Sequence, residues 1–129
     1  MDIQTHRSID PELVGVATIP EEGRSVVTLT TTPRMAADET GLVHGGFVFG
    51  AADYAAMTAV NHPMVVLGAA DVRFLKPVRV GETIQAHAKV DTIQGKKRQV
   101  QVHVHCNGQE VFSGSFICFV LERHVLESS

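Results

Sequence analysis

The 129-residue chain is 44% hydrophobic and 19% charged, with a formal net charge of −3 and a pI of about 6.1. That length buries a core without disulfides, so a single domain over residues 1–129 is expected. The sequence holds no apolar run long enough to span a membrane, and its acid-bearing start, MDIQTHRSIDPEL, reads as neither a secretory nor a transit peptide. The mildly acidic balance argues against a nucleic-acid surface.

Two β-like runs come first, residues 13–19 and 25–32, joined across Pro20-Glu21-Glu22-Gly23. The second is rich in Val and Thr, which suit a pleated, half-buried surface. A polar loop over 33–40 follows. Residues 44–61, HGGFVFGAADYAAMTAVN, predict a helix of about five turns. Its apolar character runs around most of the circumference, so it is expected to be buried on nearly all sides, with Pro63 as its stop. Four further runs, 64–75, 82–93, 98–107 and 110–121, read as strands. Gly81, Gly95 and the hairpin signal Asn107-Gly108 punctuate them.

Ile84, Ala86, Ala88 and Val90 alternate with polar residues, as do Val100, Val102, Val104 and Cys106. Each of these strands therefore has one core face and one wetter face. Two strands, one buried helix and four strands pack economically as an α+β fold, a curved antiparallel β-sheet wrapped around a long central helix. Cys106 and Cys118 both fall in alternating runs and read as small buried hydrophobes of a reduced, intracellular chain.

Chemistry concentrates where the helix begins. The first turn of a helix has unpaired N–H groups and partial positive charge. Gly45 and Gly46 strip side chains from that spot, so a carbonyl oxygen can approach bare backbone, as in an oxyanion hole. A glycine pair alone equally serves a tight turn. Asp53 shifts the balance, because it is the only acid in the helix and sits among Ala51, Ala52, Ala55 and Ala56. A carboxylate placed there is costly unless paired, hydrogen-bonded or used as base or nucleophile. Eight positions along one helix separate Gly45 from Asp53 by about 12 Å. They can act on one carbonyl only if a second copy of the helix lies alongside in the opposite direction, which predicts two shared sites per symmetric dimer.

The string Gly41-Leu42-Val43-His44-Gly45-Gly46, with Asp53 beyond it, resembles the hotdog-fold thioesterases of the phenylacetate-pathway (PaaI-like) group. So does Phe74-Leu75-Lys76-Pro77, followed by Gly81-Glu82. The resemblance implies the hotdog fold, dimerising into a longer sheet, and hydrolysis of an aryl- or acyl-CoA to free acid and CoA in the cytoplasm. It implies that Gly45 donates its N–H to the thioester oxygen, that Asp53 of the partner chain activates water or attacks, and that His44 orients the acyl group or the loop. Some relatives carry Asn six residues before the histidine, where this chain has Asp38.

Coenzyme A enters as part of the substrate, and no separate cofactor is expected. Its phosphates need cations, for which Arg73, Lys76, Arg79 and residues 96–98 are candidates. Gly46, Asp38, Tyr54 and Met57 complete the expected substrate contacts, with Phe47 and Phe49 as further lining. His87, His103 and His105 share one sheet face but are expected as exposed residues or a contact between dimers, not as a metal site. A homodimer, paired into a dimer of dimers, is the expected assembly, with no nucleic-acid or membrane partner. Two alternatives stand beside hydrolysis: an acyl-CoA-binding hotdog sensor and a hotdog hydratase or dehydratase.

Overall fold

A computed structural model describes residues 1–127. A single helical turn, α1 (Pro11–Val14), precedes strands β1 (Val16–Glu21) and β2 (Arg24–Thr30). Helix α2 (Gly45–Val60) follows, then β3 (Val65–Phe74), β4 (Thr83–Gln94), β5 (Lys97–Cys106) and β6 (Gln109–Val120). The strands form one antiparallel six-stranded sheet in the order β1-β2-β4-β5-β6-β3, curled around α2. This is the hotdog fold.

The first expected strand starts late. Asp10 caps α1 by accepting the Glu12 N–H at 2.9 Å, and Pro11 occupies its first turn. Gly15, at φ +97°, ends the turn, so residues 13–15 are not extended. At the β5–β6 hairpin, Asn107 and Gly108 adopt φ +52° and +77°, the left-handed pair that a two-residue hairpin turn requires.

Alternation builds the core as expected. Ile84, Ala86, Val100, Val102, Val104, Phe112 and Phe116 point inward without exposed surface. They meet Ala51, Ala52, Ala55, Ala56 and Met57 of the helix. An alanine-lined helix can lie close to the sheet, which is how its middle comes to be enclosed. Thr58 Oγ1 donates to the Tyr54 carbonyl at 2.8 Å and shares a 2.6 Å hydrogen bond with Ser25 Oγ, so the buried hydroxyls are satisfied.

Two surfaces bear on function. Strand β3 pairs with β6 on one side only, leaving its other edge unpaired in the chain. The sheet face away from α2 carries Gln85, His87, Gln101, His103, Ser113 and Ser115 in register.

Candidate active site at the start of the central helix

His44 is the residue before α2, and its ring caps the helix. The Gly46 N–H donates to His44 Nδ1 at 2.8 Å, and the Phe47 N–H donates to the His44 carbonyl at 3.0 Å. The His44 backbone is fixed in turn by donating to the Met35 carbonyl at 2.9 Å. An Nδ1 that accepts from the backbone places the ring proton of a neutral imidazole on Nε2. The Gly45 N–H has no acceptor among the described residues. The two glycines therefore do different things: Gly46 spends its N–H on the histidine, while Gly45 keeps its own available.

A side chain on either glycine would crowd a neighbouring ring. A Cβ on Gly46 would lie 2.9 Å from His44 Nδ1, and one on Gly45 would lie 3.1 Å from Phe74 Cε2. Phe74, 56% exposed, packs edge-on against Phe112 with ring centroids 5.1 Å apart and walls one side of the Gly45 backbone. A groove of about 220 Å³ runs from Gly45 past Val48, Phe74, Leu75, Pro77 and Val111, and Lys76 is its charged lining residue. Lys76 Nζ donates to Gln109 Oε1 at 3.2 Å. Phe74 was not expected at the site, although it stands in the motif that carried the resemblance.

Asp53 lies mid-helix and partly buried, and its Oδ1 is enclosed without a hydrogen-bond partner. Burial raises its pKa to about 6. Cys118, on the inner face of β6, is near enough to respond: burial first, then the Asp53 charge, push its thiol up to about 12. Both cysteines are buried and free. A carboxylate with an enclosed, unpartnered oxygen inside a helix of alanines is expensive, and no hydrogen bond among the described residues offsets that cost at Oδ1.

The remaining candidates scatter. Asp38 lies in the exposed turn before the helix, where its Oδ1 accepts from Thr40 Oγ1 at 2.7 Å and the Thr40 N–H at 2.9 Å. The Thr40 side chain, then its backbone, lowers the Asp38 pKa. Tyr54 is 7% exposed, with burial raising its pKa, and its ring lies 6.4 Å from that of His6. Met57 is packed into the core at 1% exposure. Arg73 is on the outer sheet face in register with Ser113 and His103, away from the helix side. Arg79 donates its backbone N–H to Glu82 Oε1 at 2.7 Å in the turn before β4.

The three histidines gather on the outer face. His103 Nδ1 lies 2.9 Å and His105 Nε2 3.9 Å from Glu110 Oε2, and the His87 and His105 rings are 5.9 Å apart. Among the described residues, no group of three or more His, Cys, Asp or Glu can hold a metal ion. No helix among them is long and apolar enough to cross a membrane.

Comparison with known proteins places this geometry. The sequence profile of the thioesterase superfamily matches residues 40–113, which include the helix start, Asp53 and the FLKP strand end. The chain is 50% identical over 121 residues to a methylthioribose-1-phosphate isomerase of Aquifex aeolicus, covering 94% of this chain and 26% of that protein. It is 31% identical over 117 residues to the transcription factor FapR of Caldanaerobacter subterraneus, covering 90% of this chain and 58% of that one. The chain thus spans only part of the length of these relatives. Among solved structures, PH1136 from Pyrococcus horikoshii superposes with a TM-score of 0.95 at 51% identity, covering 98% of this chain and 97% of the other. PaaI of E. coli superposes with a TM-score of 0.77 at 25% identity, covering 84% and 80%. With more than half of its length matched by that profile and its strands wrapped around one buried helix, the chain belongs to the thioesterase superfamily.

Proposed function

We propose that the chain is a cytoplasmic acyl-CoA thioesterase that hydrolyses an aryl- or acyl-CoA to the free acid and CoA, folding as one domain and working as a homodimer. The observation that carries this reading is the Asp53 carboxylate, enclosed and without a partner on Oδ1. It lies on the same helix whose first N–H, at Gly45, is also uncommitted among the described residues. A free acceptor and a free donor about 12 Å apart cannot serve one carbonyl within one chain. Two chains joined along their unpaired β3 edges, helices antiparallel, would bring Gly45 of one beside Asp53 of the other.

In that arrangement the thioester oxygen accepts from the Gly45 N–H. Asp53 of the second chain takes a proton from water as the water oxygen attacks the carbonyl carbon. Collapse of the tetrahedral intermediate breaks the C–S bond, and the proton returns to the departing thiolate. His44, with its Nε2–H free, orients the acyl group or the loop. Lys76, which lines the groove beside Gly45, would supply the cation for a CoA phosphate. Two such dimers pair into a tetramer.

The test is release of free thiol from a panel of aryl-CoA and C2 to C16 acyl-CoA thioesters, with Asp53→Asn in parallel. The reading requires turnover of at least one thioester and its loss, by roughly 10²–10⁴-fold, in the variant. A second reading draws on the 31% identity to a protein named as a transcription factor: binding of an acyl-CoA without hydrolysis. It takes precedence if the wild-type protein binds the panel and cleaves none of it.

A further inference from the structure

The first ten residues are tied down across the far end of the central helix. The N-terminal amine donates to the Ile19 carbonyl at 3.1 Å, and the Gln4 N–H donates to Asn61 Oδ1 at 2.7 Å. Asn61 Nδ2 returns a bond to the Asp2 carbonyl at 2.9 Å. Held this way, the strap delivers Thr5 and His6 to one place. Thr5 is buried, its hydroxyl shares a 2.7 Å hydrogen bond with His6 Nδ1, and the His6 ring lies beside Tyr54, the residue after Asp53. The two residues help line a cavity of about 400 Å³ whose other walls include Pro63, Val65, Leu67 and His124. Val65 and Leu67 belong to the unpaired edge strand β3.

The backbone does not explain why a histidine stands here. His6 has φ +53°, a left-handed region in which asparagine, aspartate and histidine are all enriched, so the backbone does not single out an imidazole. The turn closed by the Ile9 N–H on the His6 carbonyl, at 3.3 Å, asks for no imidazole either. What the imidazole supplies is one hydrogen-bonding ring nitrogen at the rim of an open cavity whose walls are part apolar and part polar, its other nitrogen being held by Thr5. Burial lowers the His6 pKa, so the ring faces the cavity neutral and offers no charge to a carboxylate.

We infer that His6 is a specificity-determining residue that hydrogen-bonds an oxygen on the distal part of a short acyl group, a hydroxyacyl chain rather than a plain alkyl or a carboxyacyl one. The inference rests on the thioester site proposed above. Antiparallel pairing of two β3 edges brings the early part of one strand, with His6, beside Phe74 and Gly45 at the end of the other. The acyl group of a thioester held at Gly45 of one chain then extends toward His6 of the chain that supplies Asp53.

The experiment compares butyryl-CoA with 3-hydroxybutyryl-CoA in the full-length wild type, His6→Gly and His6→Asn. Both substitutions suit a positive φ, so the strap keeps its path, and only asparagine retains a hydrogen-bonding tip. The wild type is expected to favour the hydroxylated thioester in kcat/KM. His6→Gly should cut that preference roughly tenfold, the loss of about one hydrogen bond, through KM rather than kcat, and His6→Asn should keep much of it. A preference ratio the same in His6→Gly as in wild type overturns the inference. Should neither thioester be cleaved, hydrolysis is judged on the full panel above. The ratio is then read from calorimetric dissociation constants of the same two thioesters, where an unchanged ratio again overturns the role of His6.

Discussion

His44 Nδ1 accepts the Gly46 N–H at 2.8 Å, which leaves Gly45 as the residue whose N–H opens the helix to a ligand. The histidine therefore carries a structural duty, capping, and a free Nε2–H. The two can be separated by substitution, because asparagine caps helices well and alanine does not. His44→Ala should cost about 1 kcal/mol of folding stability in urea titration and lower kcat/KM. His44→Asn should recover the stability while leaving kcat/KM low. Recovery of both by asparagine would assign His44 to capping alone.

Asp53 sets function against stability. Burial raises its pKa from 3.8 to about 6, so the folded chain binds its proton more tightly than the unfolded chain does. The stabilisation from that proton is fully present below pH 4 and lost as pH rises through about 6. At pH 7.5 the native state carries an ionised, poorly solvated carboxylate, and Asp53→Asn should stabilise the fold by on the order of 2 kcal/mol. The same ionisation governs catalysis: kcat/KM should fall about tenfold per pH unit below pH 6, where the base is protonated. An acid limb well below pH 5, or an Asn variant less stable than wild type, would remove Asp53 from this role.

Most of the fold was legible in the sequence because two periodicities carry it. Alternation in residues 84–90 and 100–106 marked β4 and β5, and the alanine-rich stretch marked the helix. The start of β1 was not legible, since Asp10-Pro11 is a helix-start signal that outweighs the apolar Leu13 and Val14. At the site, Gly45 and Asp53 announced themselves by residue type in an unsuitable place, a carboxylate among alanines after a glycine pair. Phe74 against Gly45 and His6 against Tyr54 are contacts between segments far apart in the chain, which no local spacing encodes. Arg73 is set apart from the helix start by strand register, since a shift of one residue decides which face of the sheet a side chain joins.

The outer-face histidines should make stability sensitive to mild acid. Burial, then the neighbouring His105 and His103, lower the His87 pKa below 6.5. The folded chain therefore binds this proton less tightly than the unfolded chain, and stability present above pH 6.5 is lost as pH falls below it. Substituting His87→Gln should flatten the pH dependence of the urea midpoint between pH 7 and 5.5. A slope unchanged in the variant would mean that His87 does not set it.

The cross-subunit site makes a prediction that no single-chain site can meet. Gly45→Val fills the space beside Phe74 and blocks the approach to the N–H, while Asp53→Asn removes the base, so each homodimer should be inactive. Unfolded together and refolded as an equal mixture, about half of the dimers contain one chain of each kind. Such a heterodimer has one site with both defects and one with a native Gly45 facing a native Asp53. The mixture should recover about a quarter of wild-type kcat at unchanged KM, since half the dimers hold one working site of two. If both groups acted from one chain, every site in the mixture would lack one of them, and refolding would recover nothing.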